Sequence, residues 1–92
     1  MNASPSESIR DAVRGFIASN FYVPDPAALG DGASLVETGI VDSTGILEVL
    51  AFLEQTFDIA VADGEVVPAN LDSIDNLVAF VGRKRAARQE AA

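Results

Sequence analysis

Apolar residues recur at intervals of three and four along three stretches of the chain, a spacing that places them on one face of an α-helix. The longest of these runs extends from Ile46 to Phe57. A first run ends near Asn20, and a last run follows Ser73. The pattern therefore predicts three main helices with apolar faces formed by Ile9, Ala12, Val13, Phe16 and Ile17; by Ile46, Val49, Leu50, Leu53 and Phe57; and by Ile74, Leu77, Val78 and Val81.

Residues that favour helix N-termini precede each run: Ser4 with Pro5 and Glu7, then Asp42 or Ser43, then Asp72-Ser73. We expect the second helix to end at Phe57 or Asp58. On the first helix we expect Arg10, Asp11 and Arg14 to lie in water without a chemical role. The last helix closes with four cations, Arg83, Lys84, Arg85 and Arg88, where the helix dipole favours them. This basic end either binds an acidic partner or is a solvated helix terminus.

Two segments lack this periodicity. Residues 21–41 contain two prolines and three glycines, which predicts a long loop with a turn of helix at residues 34–37. Leu29, Leu35 and Ile40 are expected to anchor that loop in the core. The other segment, residues 59–68, is consistent with a brief turn or short helix halted by Pro68, or with a β-hairpin that lacks an obvious second strand.

The 92 residues are sufficient for one domain, 1–92, and 49% of them are hydrophobic, which supports a packed core. We expect residues 1–4 and 86–92 to be flexible tails. The chain has no cysteine and no histidine. It therefore has no disulfide, no thiol of its own and no imidazole base, and we predict neither enzymatic activity nor a metal site.

The net charge of −8 is unevenly distributed. Between Gly15 and Gly82 there are eleven carboxylates and no lysine or arginine. Such a surface repels nucleic acid and anionic membranes and attracts basic protein surfaces. The alternative interpretation is that the charge only keeps the protein soluble. The chain contains neither a membrane-length apolar run nor the features of a signal peptide at its start, so we expect it to be cytoplasmic. We also expect a monomer.

Ser43 is the candidate functional residue because it lies at the predicted start of the longest helix, between Gly39 and Gly45. A second Asp-Ser pair contains Ser73, for which a helix-capping role is a sufficient explanation. The residues around Ser43 do not match the nucleophile elbow, because residue 41 is valine where that motif has glycine. The sequence also lacks the Gly-Lys-Ser/Thr of a phosphate-binding loop and the glycine position of a calcium-binding loop.

Gly39-x-x-Asp42-Ser43, followed by Glu48 and Phe57, resembles the modification site of acyl and peptidyl carrier proteins. The resemblance extends from about Ser6 to Val81 and includes Leu35, Phe57-Asp58-Ile59 and Asn70-x-Asp72-Ser73-Ile74. It implies a small four-helix bundle, with a short third helix whose Val66 or Val67 lines the bundle. It also implies that Ser43, preceded by Asp42, carries 4′-phosphopantetheine donated by coenzyme A, whose thiol holds an acyl or aminoacyl cargo as a thioester.

The partners that the resemblance implies are a phosphopantetheinyl transferase, an adenylating ligase or acyltransferase, and a downstream synthase or transferase. The docking surface would comprise Thr44, Leu47, Glu48, Ala51 and Glu54. Leu47 either anchors these partners or simply widens the core face of the helix. The residues do not identify the cargo or pathway, and an unmodified acidic interaction module is the alternative function.

Thr44 and Gly45 depart from the leucine and acidic residue that many family members have after the serine. We expect Gly45 to loosen the first turn by roughly 1 kcal/mol relative to alanine. The departure resembles discrete carriers of specialised metabolism, or of aminoacyl transfer, more than carriers of fatty-acid synthesis.

Overall fold

The computed structural model describes the backbone of residues 5–91 and the side chains of residues 7–87. This part of the chain forms four α-helices: α1 (Pro5–Asn20), α2 (Ser43–Phe57), α3 (Pro68–Leu71) and α4 (Ile74–Ala91). It contains no β-strand, so the predicted all-α fold is confirmed and the hairpin alternative is wrong. None of these four helices is long and apolar enough to cross a bilayer. Ser4, the predicted cap of α1, lies outside the described residues.

Helix α4 is the centre of the bundle, because α1, α2 and α3 all pack against it. The four apolar residues predicted to form its core face are buried, and so is Phe80, which that face did not include. The side chains that the other three helices bury in the same core are Ile9, Val13 and Ile17 from α1, Val49 and Leu53 from α2, and Leu71 from α3.

The long loop between α1 and α2 is anchored by apolar side chains. Leu35 is buried, and Leu29 and Ile40 pack partly buried against the core, as predicted. Val41 is also buried, which the pattern did not predict. The expected turn of helix is present as a hydrogen-bonded turn, in which the Thr38 N–H donates to the carbonyl of residue 34 at 3.1 Å.

Two arginines of α1 bind the same loop, so the expectation that they have no role beyond solvation is wrong. Arg10 donates to Asp31 at 2.8 Å and to Asp75 at 2.7 Å, and Arg14 also donates to Asp31. The hydrogen bond to Asp75 is the main cause that raises the pKa of Arg10 above its usual value. Asp11 is exposed, as expected. The loop folds back over α1, and this long-range contact leaves no trace in the local sequence pattern.

The segment before α4 differs from the prediction in the role of its proline. Pro68 begins α3 instead of halting a helix, because its fixed φ and missing N–H suit the first helical position. The helix then buries Leu71, and the two valines before it remain outside, with Val66 38% and Val67 40% exposed. The prediction that one of these valines lines the bundle is therefore wrong. A 3₁₀ turn at Asp63–Glu65 precedes them.

Two of the basic residues near the end of α4 bind the α3 region. Lys84 donates to Glu65 at 2.8 Å, and Arg83 donates to Asn70 at 2.8 Å. The hydrogen bond from Lys84, helped by one from the Ala62 N–H, lowers the pKa of Glu65 below its usual value. The basic stretch is thus partly structural. The helix continues to Ala91, and the expectation of flexible ends stays a prediction.

Candidate functional site

The loop turns into α2 through a left-handed glycine and an extended aspartate. Gly39 has a φ of +79°, which glycine adopts without steric cost. The Val41 N–H then donates to the Leu35 carbonyl at 3.0 Å, closing the turn. Asp42 is extended and caps α2, with its Oδ1 accepting from the Gly45 N–H at 2.7 Å. Of the two residues that the sequence allowed as cap, the structure selects Asp42.

Ser43 is the first residue of α2 and is exposed. Within the part of the chain whose side chains are described, its hydroxyl has no hydrogen-bond partner. The first backbone N–H groups of a helix have no intrahelical acceptor, and they favour a negative charge placed beside them. The position therefore offers an accessible hydroxyl at the positive end of a helix dipole, which suits a phosphodiester.

Gly45 lies at a tightly packed position, a feature that the expectation of a looser first turn did not include. The residue is buried, and a Cβ built on it would lie 2.7 Å from Cε1 of Phe21. The same Cβ would lie 3.3 Å from the Asp42 Oδ1 and 3.3 Å from the Val41 Cγ1. Comparison with alanine in an open helix does not apply here, because alanine does not fit without movement of a neighbour.

Ser73, the other serine that follows an aspartate, is only 5% exposed. Its hydroxyl oxygen accepts from the Asn76 N–H at 3.0 Å, so it caps α4 as predicted. The two Asp-Ser pairs thus differ in structure: in the first the aspartate caps and the serine is exposed, and in the second the serine caps and is enclosed.

The outer face of α2 carries the residues that the sequence assigned to docking: Thr44, Leu47, Glu48, Ala51 and Glu54, all of which are exposed. Leu47 is 66% exposed, so the alternative that it widens the core is wrong. Glu54 also has an internal contact, because its Oε2 accepts from the Val61 N–H at 3.0 Å. This contact ties the segment after α2 back to the helix.

A groove of about 430 Å³ lies beside the start of α2. Its apolar walls come from the loop, from α2 and from the α3 region, and its two acidic lining residues are Glu37 and Asp72. The apolar lining residues are Val36, Ile46, Val66, Val67, Pro68 and Leu71. Sequence reasoning missed the contribution of Val36, although an apolar residue next to the buried Leu35 was a usable signal.

Among the described residues, no group of three or more acidic side chains is arranged to hold a metal ion. No family model matches the chain. The chain is similar to a protein named probable acyl carrier protein PigG from Serratia sp. (strain ATCC 39006), with 33% identity over 70 residues, which is 76% of this chain and 80% of that protein. Identity at that level over most of both sequences shows that the chain belongs to the acyl carrier protein family.

Proposed function

We propose that this protein carries an acyl or aminoacyl group as a thioester on a 4′-phosphopantetheine arm attached to Ser43. The single observation that carries the proposal is the exposed Ser43 hydroxyl at the first residue of α2, directly after the capping Asp42 and without a hydrogen-bond partner among the described side chains. Membership of the acyl carrier protein family supports a carrier role. When attached, the arm supplies the thiol that this cysteine-free chain lacks.

In the attachment step, Ser43 acts as the acceptor. Its Oγ forms a bond to the pantetheine-side phosphorus of coenzyme A, the bond to the second phosphate breaks, and the nucleotide 3′,5′-bisphosphate leaves. The hydroxyl proton passes to a base of the phosphopantetheinyl transferase, since this chain has no histidine. The chain's own contribution is to hold the hydroxyl in solvent and to offer free helix N–H groups to the phosphodiester.

The exposed face of α2 serves as the docking surface for the transferase, for an adenylating ligase or acyltransferase, and for a downstream synthase or transferase. Leu47 supplies an apolar contact, and Glu48 supplies charge that attracts basic partners. The docking surface also includes Thr44 and Ala51. Glu54 contributes less than Glu48, because it is partly engaged with the Val61 N–H.

The apolar groove beside α2 provides a surface on which the cargo can rest between partner enzymes. Its lining valines are exposed when the groove is empty, and covering them with an acyl chain would remove apolar surface from water. The acidic chain acts as a monomeric carrier in the cytoplasm, raising the effective concentration of its cargo at each enzyme.

Intact-mass measurement after incubation with coenzyme A and a broad-specificity phosphopantetheinyl transferase tests the proposal. The wild-type protein is expected to gain one phosphopantetheine, and Ser43→Ala none. Ser73→Ala is the matched control and is expected to gain the full increment, because that serine is a buried cap. An unchanged wild-type mass, or equal gain in Ser43→Ala, would contradict the proposal.

The alternative function, an unmodified acidic interaction module, leads to a different result. Such a module would bind its basic partner equally well after Ser43→Ala. A carrier would lose all transfer of cargo in the same variant, while its fold would remain unchanged.

A further inference from the structure

The ring of Phe21 occupies the space in which a side chain on residue 45 would lie. Gly45 is the third residue of α2, and a Cβ there would be 2.7 Å from the ring atom Cε1. Real Cβ atoms essentially never lie that close to a non-bonded atom, so the ring lies directly against the glycine backbone. The contact joins the start of the long loop to the first turn of the helix that bears Ser43.

The Phe21 ring is itself held in place by other aromatic rings. It contacts Phe16 edge to face, with centroids 5.9 Å apart and an interplanar angle of 75°. Phe16 in turn stacks on Phe52 at 4.1 Å, and Phe52 meets Phe57 at 5.8 Å. We call Phe16, Phe21, Phe52 and Phe57 the aromatic row. The contact with Phe16, which is itself stacked on Phe52, restrains the Phe21 ring beside Gly45, whereas Phe57 lies at the far end of the row.

We propose that Phe21 is a positioning residue for attachment of the arm to Ser43, an inference that rests on the proposed function. Glycine has more backbone freedom than any other residue, and the ring restricts that freedom at Gly45. The Gly45 N–H donates to Asp42 at 2.7 Å, and Ser43 lies between the two residues of this hydrogen bond. By restricting the glycine, Phe21 holds the hydrogen-bonded turn and the backbone from which the Ser43 side chain projects.

The kinetics of attachment distinguish positioning from mere stabilisation. A variant in which the Ser43 backbone is displaced still docks through Leu47 and Glu48 but reacts slowly, so kcat falls and KM is retained. A variant that is only less stable presents less folded carrier to the transferase. It raises the apparent KM and leaves kcat unchanged, because the folded fraction reacts normally.

The test measures kcat and KM for the carrier in the transferase reaction, with thermal unfolding monitored by circular dichroism. Phe21→Leu, which removes the ring edge from Gly45 but keeps apolar volume, is expected to lower kcat about tenfold. Phe57→Leu is the matched control, because it removes a ring from the other end of the same row; its kcat is expected to stay within about twofold of wild type. Should Phe21→Leu fail to fold, Phe21→Met makes the same comparison.

A second pair of variants tests the contact itself. Gly45→Ala is expected to lower kcat about tenfold, because the added methyl must displace the ring or the capping carboxylate. Phe21→Leu/Gly45→Ala is expected to recover to within about threefold of wild type, since the methyl then has room and alanine stiffens the turn. Unchanged kcat in Phe21→Leu, or a double variant whose loss is the product of the single losses, would overturn the inference. If the wild-type protein itself gains no arm, the proposed function fails first.

Discussion

The Ser34 hydroxyl donates to the Asp72 carboxylate at 2.7 Å and thereby joins the long loop to the junction of α3 and α4. The other oxygen of this carboxylate accepts from the Val36 N–H at 3.0 Å, and the Asp72 carbonyl accepts from the Leu35 N–H at 2.7 Å. One residue therefore holds three consecutive residues of the loop. Since Val36 lines the groove beside α2, Asp72 also fixes one wall of that groove.

Replacing Asp72 should release this part of the loop. We expect Asp72→Ala to lower the free energy of unfolding by about 1–3 kcal/mol, because two donors lose a charged acceptor. Asp63→Ala removes an exposed carboxylate from the nearby 3₁₀ turn and is the matched control, with an expected change within about 0.5 kcal/mol. Urea denaturation measures both, and equal effects in the two variants would show that the Asp72 contacts contribute nothing.

The contact between α1 and the loop should make stability depend on salt. Asp31 accepts from both Arg10 and Arg14, and all three side chains are about one-third exposed. We expect Asp31→Ala to cost about 1 kcal/mol at low salt, and less at high salt, where the ion pairs are screened. Asp25→Ala, on the same loop, is the control. Thermal unfolding at two salt concentrations checks this, and an effect of Asp31→Ala that is independent of salt would argue against an electrostatic role.

Glu65 should contribute to the acid sensitivity of the fold. Its pKa is lowered in the folded protein by Lys84 and the Ala62 N–H, so its contribution to stability is complete above about pH 4.5, the ordinary value. That contribution is lost as the pH falls from there through the lower pKa of the folded state. Glu65→Gln should flatten the decline of the urea midpoint in this range, whereas Glu37→Gln, an exposed control, should leave its slope unchanged. If the urea midpoints of wild type and Glu65→Gln declined in parallel as the pH falls, a contribution of Glu65 to acid sensitivity would be contradicted.

Sequence reasoning predicted those features that depend on neighbouring residues. The periodicity of α1, α2 and α4 is local, and so is the capping chemistry of Asp42 and Ser73. It failed where residues distant in sequence meet. The tight packing at position 45 depends on a ring from residue 21, which helix propensity cannot reveal.

The α3 region shows the same limit in another form. Pro68 is compatible with either ending or beginning a helix, and the choice was settled by burial of Leu71 in the shared core. That choice left Val66 and Val67 facing the groove. The ion pairs of Arg10 and Arg14 likewise required knowledge of where the loop crosses α1.

Docking through α2 should depend on charge. Glu48→Lys is expected to raise the KM of the carrier in the transferase reaction about fivefold or more, with little change in kcat, because it replaces attraction by repulsion on the exposed face of α2. Asp11→Lys makes the same change of charge on α1 and is the control. Added salt should raise the wild-type KM but affect Glu48→Lys less. Equal KM values for the two variants would place the docking surface elsewhere.

Mass spectrometry of peptides from the modified protein shows which residue carries the phosphopantetheine arm. The chain has no lysine or arginine between Arg14 and Arg83, so trypsin would leave both candidate serines in one peptide, whereas cleavage before aspartates separates them. We predict that phosphopantetheine is found on the peptide that begins at Asp42 and contains Ser43. Its presence on the Ser73 peptide, or on neither, would contradict the account.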